Sequence, residues 1–256
     1  MTKRLTKTSN ILIAFILLVA AWQAAVLIGQ FEESLFPPPL QVWKGIVSLV
    51  RDGTLFIHLQ VSLFRFAVGY STAVISAVAL GLALGLLQRL WAYIDPIIQV
   101  LRPVSPIAWS PFIVLWFGIG DAPAIVIIFL AAFFPVLLST VAAVRKVEPI
   151  YIKIAHNVEM TRGSLIAKII FPASFPYIAN GLHIAIGTSW IFLVSGEMVG
   201  AQSGLGYLIV DARNYLRLDL VFAGIILIGI CGLLLDKAVG LLERGIERQW
   251  GIAPKE

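Results

Sequence analysis

Glu197 is the side chain whose position demands an explanation first. It lies in Ser195-Gly-Glu-Met-Val199 inside an apolar run, and a carboxylate in hydrocarbon costs on the order of several kcal/mol unless it is paired or wetted. Two readings follow. Either Glu197 faces a water-filled transport route, with Ser195 beside it, or it is held by a buried cation, Arg65 or Arg102. Ser105, Trp109 and Ser110 sit among Pro103, Pro106 and Pro111. They are further candidates for a polar lining, because a proline-broken helix at membrane depth is tolerated only against protein or a cavity.

A second constellation has no catalytic character. Lys153 to Pro172, KIAHNVEMTRGSLIAKIIFP, is a polar island between apolar runs. Lys153, His156, Arg162 and Lys168 interleave with Ile154, Val158, Leu165, Ile166, Ile169 and Ile170 at roughly helical spacing. This predicts a short amphipathic helix, a break near Gly163, and a second helix ended by Pro172. Such a segment either docks in a partner's groove or lies on lipid headgroups. The rigid Phe171-Pro172-Ala173-Ser174-Phe175-Pro176 that follows fixes its pose and suits mechanical coupling.

The chain carries no GxxxxGK[ST] phosphate loop, HExxH, CxxC or GxSxG, so it shows no site for ATP hydrolysis, zinc or serine-hydrolase chemistry. Gly204-Leu-Gly206 follows an apolar span rather than a strand and reads as a turn. His58, His156 and His183 are scattered, with no metal-site spacing. The lone Cys231 excludes an intramolecular disulfide.

The elements that position these residues follow from composition. With 59% apolar and 13% charged residues and a mean hydropathy of +0.94 over 256 residues, the chain lacks the polar surface of a soluble globule and belongs in a bilayer. Six spans are expected, near 11–29, 66–87, 97–117, 122–144, 178–199 and 220–241, the third kinked or unwound by its prolines. The basic run before Ile11 resembles a signal peptide, but the apolar run is too long and reads as a retained first helix. Phe36-Pro-Pro-Pro39 breaks the chain, and Val42, Trp43, Ile46, Leu49 and Val50 mark an amphipathic helix at the outer interface. Gly81 and Gly85 form a GxxxG, either a close helix approach or chance in a Gly-rich helix. With the N-terminus inside, 13 basic residues lie on inner segments and 5, Lys44, Arg51, Arg65, Arg213 and Arg217, on outer ones, Arg102 being unassigned. Both termini and the Lys153–Pro172 loop are therefore expected in the cytoplasm. The basic residues form no stripe for nucleic acid. The expected organisation is 1–65 for the first helix and outer helix, 66–241 for the core with a loop at 145–177, and 242–256 for a cytoplasmic tail.

The loop, its FPASFPYIANGL continuation, WFGIGDAPAIVIIFLAAFFPVLL from Trp116 to Leu138 and SGEMVGAQSGLGYLI from Ser195 to Ile209 resemble the permease subunits of bacterial ABC importers. The similarity is greatest to the branch serving nitrate, sulfonates, taurine, bicarbonate and small organic compounds such as thiamine precursors. It covers about residues 36 to 250. The resemblance implies an all-α type I importer permease with six transmembrane helices and a cytoplasmic coupling helix between the fourth and fifth. It further implies a second permease copy as homodimer partner, two ATPase subunits that bind the ATP and Mg, and an extracytoplasmic solute-binding protein, all at the bacterial inner membrane. No cofactor is implied in this chain, nor catalysis by it. The family's loop signature, Glu-Ala-Ala, a glycine, and an Ile-x-x-Pro-like ending, falls on Lys153, Ile154 and Ala155, then on Glu159, and ends at Ile169-Ile-Phe-Pro172. Only Ala155 of the triplet is kept. The docking residues implied are Lys153, Ala155, His156, Glu159, Arg162, Leu165, Lys168 and Pro172. The competing reading is an ion-coupled secondary transporter using Glu197, which would want more intramembrane charge and an internal repeat.

Overall fold

A computed structural model of the chain describes residues 2–29, 32 and 35–249, with the side chains of residues 2–9, 11, 12, 149, 156, 242–244 and 246–249 outside that description. His156 and most of the expected tail at 242–256 therefore contribute backbone only, or lie outside the described residues.

Every regular element among the described residues is helical: α1 Thr2–Gly29, α2 Pro39–Arg51, α3 Thr54–Leu86, α4 Gln88–Leu101, a 3-10 turn Pro106–Trp109, α5 Ser110–Phe117, α6 Asp121–Arg145, α7 Pro149–Asn157, α8 Arg162–Leu165, a π-helical segment Ile166–Ile170, α9 Phe171–Gly200, α10 Leu205–Asn214 and α11 Leu218–Gln249. Four stretches are long and apolar enough to cross a bilayer: Thr54–Leu86, Asp121–Arg145, Arg162–Gly200 and Leu218–Leu241. A fifth is the pair Gln88–Leu101 and Pro106–Phe117, bent by 83° at the break between them. The expected first span appears as a shorter apolar stretch, Ile13–Gly29. Among the described residues the count by length and composition is thus four to five.

Several local expectations change. α3 begins at Thr54 rather than near residue 66, because no breaker follows Gly53, whose φ of 73° makes the turn out of α2. The anticipated boundary at 65/66 falls inside this helix. Arg65, expected among the outer loop charges, is instead a buried helix residue with 1% exposure. The break in the polar island falls at residues 158–161, and Gly163 lies within α8. Pro172 does not end a helix but sits in the first turn of α9, where a missing N–H is least costly. α2 packs on α3 and α11 through Val42, Gly45 and Leu49, leaving Trp43 and Val50 exposed.

The core is a slab of α3, α6 and α9. On α3, Gly69, Ala73, Ala77, Gly81 and Gly85 recur every fourth residue and are all buried. They let α6 approach until a Cβ at Gly81 would sit 2.6 Å from Thr140 and one at Gly85 2.7 Å from Val144. The glycine pair is therefore a packing stripe, longer than its two members suggested. Gly181 meets Ser139, and Gly196 meets Ala124 and Ile127, in the same way across the α6–α9 seam. Tyr70 donates to the Leu182 carbonyl at 3.0 Å, Trp190 Nε1 donates to the Ile228 carbonyl at 3.1 Å, and His183 Nε2 meets Asp236 at 3.0 Å. These bonds tie α3, α9 and α11 where apolar packing alone specifies register weakly.

Gly81→Leu is expected to cost about 1–3 kcal/mol by overpacking and to lower the unfolding temperature of the detergent-solubilised chain. Gly229→Ala, with open space at its Cβ position, is expected to leave that temperature unchanged. Equal unfolding temperatures for the two would show that the stripe does not set the α3–α6 distance.

Candidate functional site

Two polar places stand out in the apolar slab. The first is a cavity of about 370 Å³ where the α4–α5 break faces the middles of α6 and α9. Pro103 and Pro106 leave the chain between α4 and α5 without a continuous helical ladder. The cavity accommodates non-helical backbone at membrane depth. Arg102, Ser105 and Trp109 come from the break, Leu130, Phe134 and Pro135 from α6, and Thr188 and Phe192 from α9.

The second is a buried network toward the opposite end of the slab from the α6–α9 loop. His58, Ser62 and Arg65 recur at helical spacing on one face of α3, and Glu197 descends from the last turn of α9. Arg65 Nη1 donates to Glu197 Oε1 at 2.9 Å and to the Ser203 carbonyl at 2.6 Å, its Nη2 donates to Ser203 Oγ at 2.9 Å, and its Nε donates to Asp121 Oδ1 at 2.8 Å. Asp121 opens α6 and remains half-exposed. Ser62 Oγ lies 2.8 Å from Glu197 Oε1 and 2.9 Å from Oε2, and accepts the Leu205 N–H at 2.8 Å.

The network also caps a helix. Gly204, before the first turn of α10, has no side chain to offer. The free N–H groups of Gly204, Leu205 and Gly206 are instead taken by His58 Nδ1 at 3.0 Å, Ser62 Oγ, and Glu197 Oε2 at 2.9 Å. Both glycines are obligatory here. Gly204 has φ 107°, and a Cβ there would strike the Glu197 carboxylate, while one at Gly206 would strike the Val194 carbonyl. Beyond the spans, the Asp211 carboxylate 3.4 Å from the Tyr207 hydroxyl raises that phenol above its usual value.

Of the residues singled out from sequence, the cavity gathers Ser105 and Trp109. Ser110 is buried at the start of α5, and Ser195 Oγ is turned back to the Ile191 carbonyl at 3.2 Å. Neither lines the cavity. Glu197 is 1% exposed, with Arg65 as its cation. Arg102, the alternative partner, lines the cavity instead. Sequence reasoning missed the capping role of His58 and Ser62, whose signal was their register with Arg65. It had Arg102, beside Pro103, only as a possible partner of Glu197 and not as a cavity residue.

In the Lys153–Pro172 loop, Lys153, Arg162 and Lys168 are exposed, Leu165 is half-buried, and Ala155 and Ile170 are buried. Glu159 has φ 51°, and the Met160 N–H returns to the Ala155 carbonyl at 3.0 Å, which closes α7 with a left-handed C-terminal cap. Ile154 and Val158 of this stretch are exposed, as are Ile150 and Tyr151 just before it. Ile166 and Leu165 pack with Ile170 on Val144 and Val147 at the end of α6.

Glu197→Ala and Arg65→Met are each expected to destabilise the solubilised chain by about 3–5 kcal/mol, because each leaves a buried charge or helix N–H unpaired. The double variant should lose less than the sum by at least ~1 kcal/mol. Strict additivity in denaturant melts would deny the coupling.

Comparison with known proteins agrees with this architecture. Residues 75–248 match the family described as binding-protein-dependent transport system inner membrane component. The chain is 36% identical over 227 residues to a putative aliphatic sulfonates transport permease of Bacillus subtilis, covering 89% of this chain and 82% of that one. It is 37% identical over 235 residues to the taurine transport system permease of Escherichia coli, covering 90% and 85%. Among solved structures, an inward-facing methionine ABC transporter aligns with a TM-score of 0.58 at 19% identity, over 72% of this chain and 94% of the other, a likeness of fold. The chain belongs to the binding-protein-dependent transport system inner membrane components and is the multi-pass permease subunit of an ABC importer for small solutes.

Proposed function

We propose that the cavity at the α4–α5 break is part of the cargo route and that the Lys153–Pro172 loop is the docking element for a separate ATPase. The observation that carries the second half is the geometry at Glu159. The family resemblance places a glycine there, and the backbone keeps the left-handed conformation that favours glycine although the residue is not one. The turn is retained while the side chain has changed. The adjoining α7 presents Ile150, Tyr151 and Ile154 to its surroundings, and the turn after it presents Val158, an apolar face suited to a groove on a partner. Ile170, buried against the end of α6, gives that face a rigid connection to the slab.

The remaining reading follows the family. Two copies of the chain pair, two ATPase subunits bind the nucleotide and metal, and an extracytoplasmic protein delivers the solute. The spans number six when α1 and the bent pair each cross. The N-terminus, C-terminus and loop face the cytoplasm. With Arg65 moved into the slab, the basic residues left on outer segments are Lys44, Arg51, Arg213 and Arg217, and the bias inward grows. Lys153, Ala155, His156, Glu159, Arg162, Leu165, Lys168 and Pro172 form or support the docking element. Ser105 and Trp109 touch cargo, while Ser110, Ser195 and Glu197 hold the route's walls. Closure of the ATPase pair on ATP shifts the permease between inward-open and outward-open states, and the work done is the difference in docking free energy between them. The cargo is a small solute of the kind named for its relatives, a sulfonate or taurine.

The test is purification of the tagged chain from its native membrane in mild detergent. A co-purifying P-loop ATPase with vanadate-sensitive turnover is expected. A chain recovered alone, under conditions that preserve related complexes, rejects the proposal. Within the complex, Glu159→Gly is expected to keep ATP-dependent uptake. Glu159→Val places a β-branched residue at positive φ, costs about 1–2 kcal/mol locally, and is expected to lower uptake per ATP hydrolysed. Equal coupling ratios for the two variants would deny the turn a role.

A further inference from the structure

The cavity has an electrostatic character that the family likeness does not assign. Among the described residues Arg102 is the one charged residue lining it, and the other polar side chains there, Ser105 and Thr188, are neutral. Arg102 makes no ion pair with a described residue, unlike Arg65, whose guanidinium is saturated. The nearest preceding carboxylate, Asp95, is two turns back on α4 and accepts from Gln99 Nε2 at 3.3 Å. The cavity lies beside Leu130 to Pro135, the middle of α6, and Arg102, an exposed residue just past the end of α4, borders it from the break. A guanidinium without an ion partner on the wall of a cavity is left to meet water or a ligand.

We propose that this cavity is an oxyanion site, in which Arg102 holds the cargo's charged head and Trp109, Phe134 and Phe192 receive its apolar remainder. The proposal rests on the reading of the cavity as cargo route and assigns the residue that recognises the cargo's charge. A guanidinium offers a planar pair of donors that matches two oxygens of a carboxylate, sulfonate, nitrate or bicarbonate group. Ser105 and Thr188 supply hydroxyls for a third oxygen. The volume of about 370 Å³ suits a small ion with a short substituent. Cationic solutes are disfavoured by Arg102 itself.

The experiment uses proteoliposomes holding the permease with its ATPase and binding protein. It follows ATP-dependent entry of radiolabelled ethanesulfonate, taurine, nitrate and bicarbonate, and of cationic thiamine. At least one of the oxyanion-bearing solutes is expected to enter. In R102Q complexes matched for ATPase content, that entry should fall by about tenfold or more, with R102K intermediate because a point charge replaces the fork. In a C231S background, R102C should be equally slow. Treatment of R102C with 2-aminoethyl methanethiosulfonate, which restores a cation, should recover entry, whereas uncharged methyl methanethiosulfonate should not. Entry of thiamine alone, wild-type rates in R102Q, or equal rescue by both reagents would overturn the oxyanion site and leave the permease reading standing. A wild-type complex that moves none of these solutes with ATP would take down the cargo-route reading and this proposal with it.

Discussion

The structure depends on keeping one buried carboxylate satisfied. Glu197 meets a guanidinium, a hydroxyl and a backbone N–H, and those partners come from two other elements: Arg65 and Ser62 belong to α3, Gly206 to α10. Through Arg65 the same network reaches Asp121 at the start of α6 and Ser203 in the turn after α9. Four helices therefore share one electrostatic solution. Removing a partner from such a network costs about 3–5 kcal/mol, a large fraction of the 5–15 kcal/mol that typically separates folded from unfolded domains. The network's small footprint explains why glycine occupies both 204 and 206. A side chain at 204 would strike the carboxylate, and one at 206 would strike the Val194 carbonyl and the Glu197 Cβ.

Beneath the network, geometry and not charge does the holding. In a bilayer the lipid tails match the apolar side chains, so helices associate through close packing and a few polar bonds. The four-residue repeat of small side chains on α3 meets Ile128, Thr140 and Val144 on α6, and Gly181 and Gly196 carry the same device onto α9. The result is a slab without slack at its seams. α4, α5 and α7 attach to it by fewer interlocked contacts, and the bend of 83° lies in that looser part. Motion is expected where interlocking is absent, with the slab moving as a body. Ile170 and Val147 connect the α8 region to the slab.

The legible parts of the sequence were those where a residue is costly in its surroundings. Glu197 stood out because hydrocarbon penalises it, and Arg65 was among its named partners. The polar island stood out between apolar runs, and α6 was readable almost end to end, 122–144 against Asp121–Arg145. What was not legible depended on contacts distant in the chain. Nothing local shows that His58 and Ser62 cap a helix almost 150 residues later, because each is an ordinary polar residue on an otherwise apolar helix. α3 was begun too late for a related reason. Arg65 reads as a loop charge until its partner is known, and only the pairing makes it a helix residue. The break in the island was assigned to Gly163, where composition pointed. Glu159 makes the turn instead, held there by the Met160 to Ala155 hydrogen bond.

The two polar places also explain one another. On α9, Glu197 lies five residues beyond Phe192 and nine beyond Thr188, roughly 8–13 Å along the axis. A bare carboxylate at about 10 Å would oppose an anion by about 1.7 kcal/mol at an effective dielectric of 20, more than tenfold in occupancy. Arg65 at 2.9 Å cancels that field at its source, and the half-exposed Asp121 is screened by solvent. Arg102 then sets the sign of the cavity alone. The Glu197 carboxylate, neutralised by Arg65, anchors α9 without imposing its sign on the cavity, so one acidic residue can stabilise the bundle without disfavouring an anionic solute there.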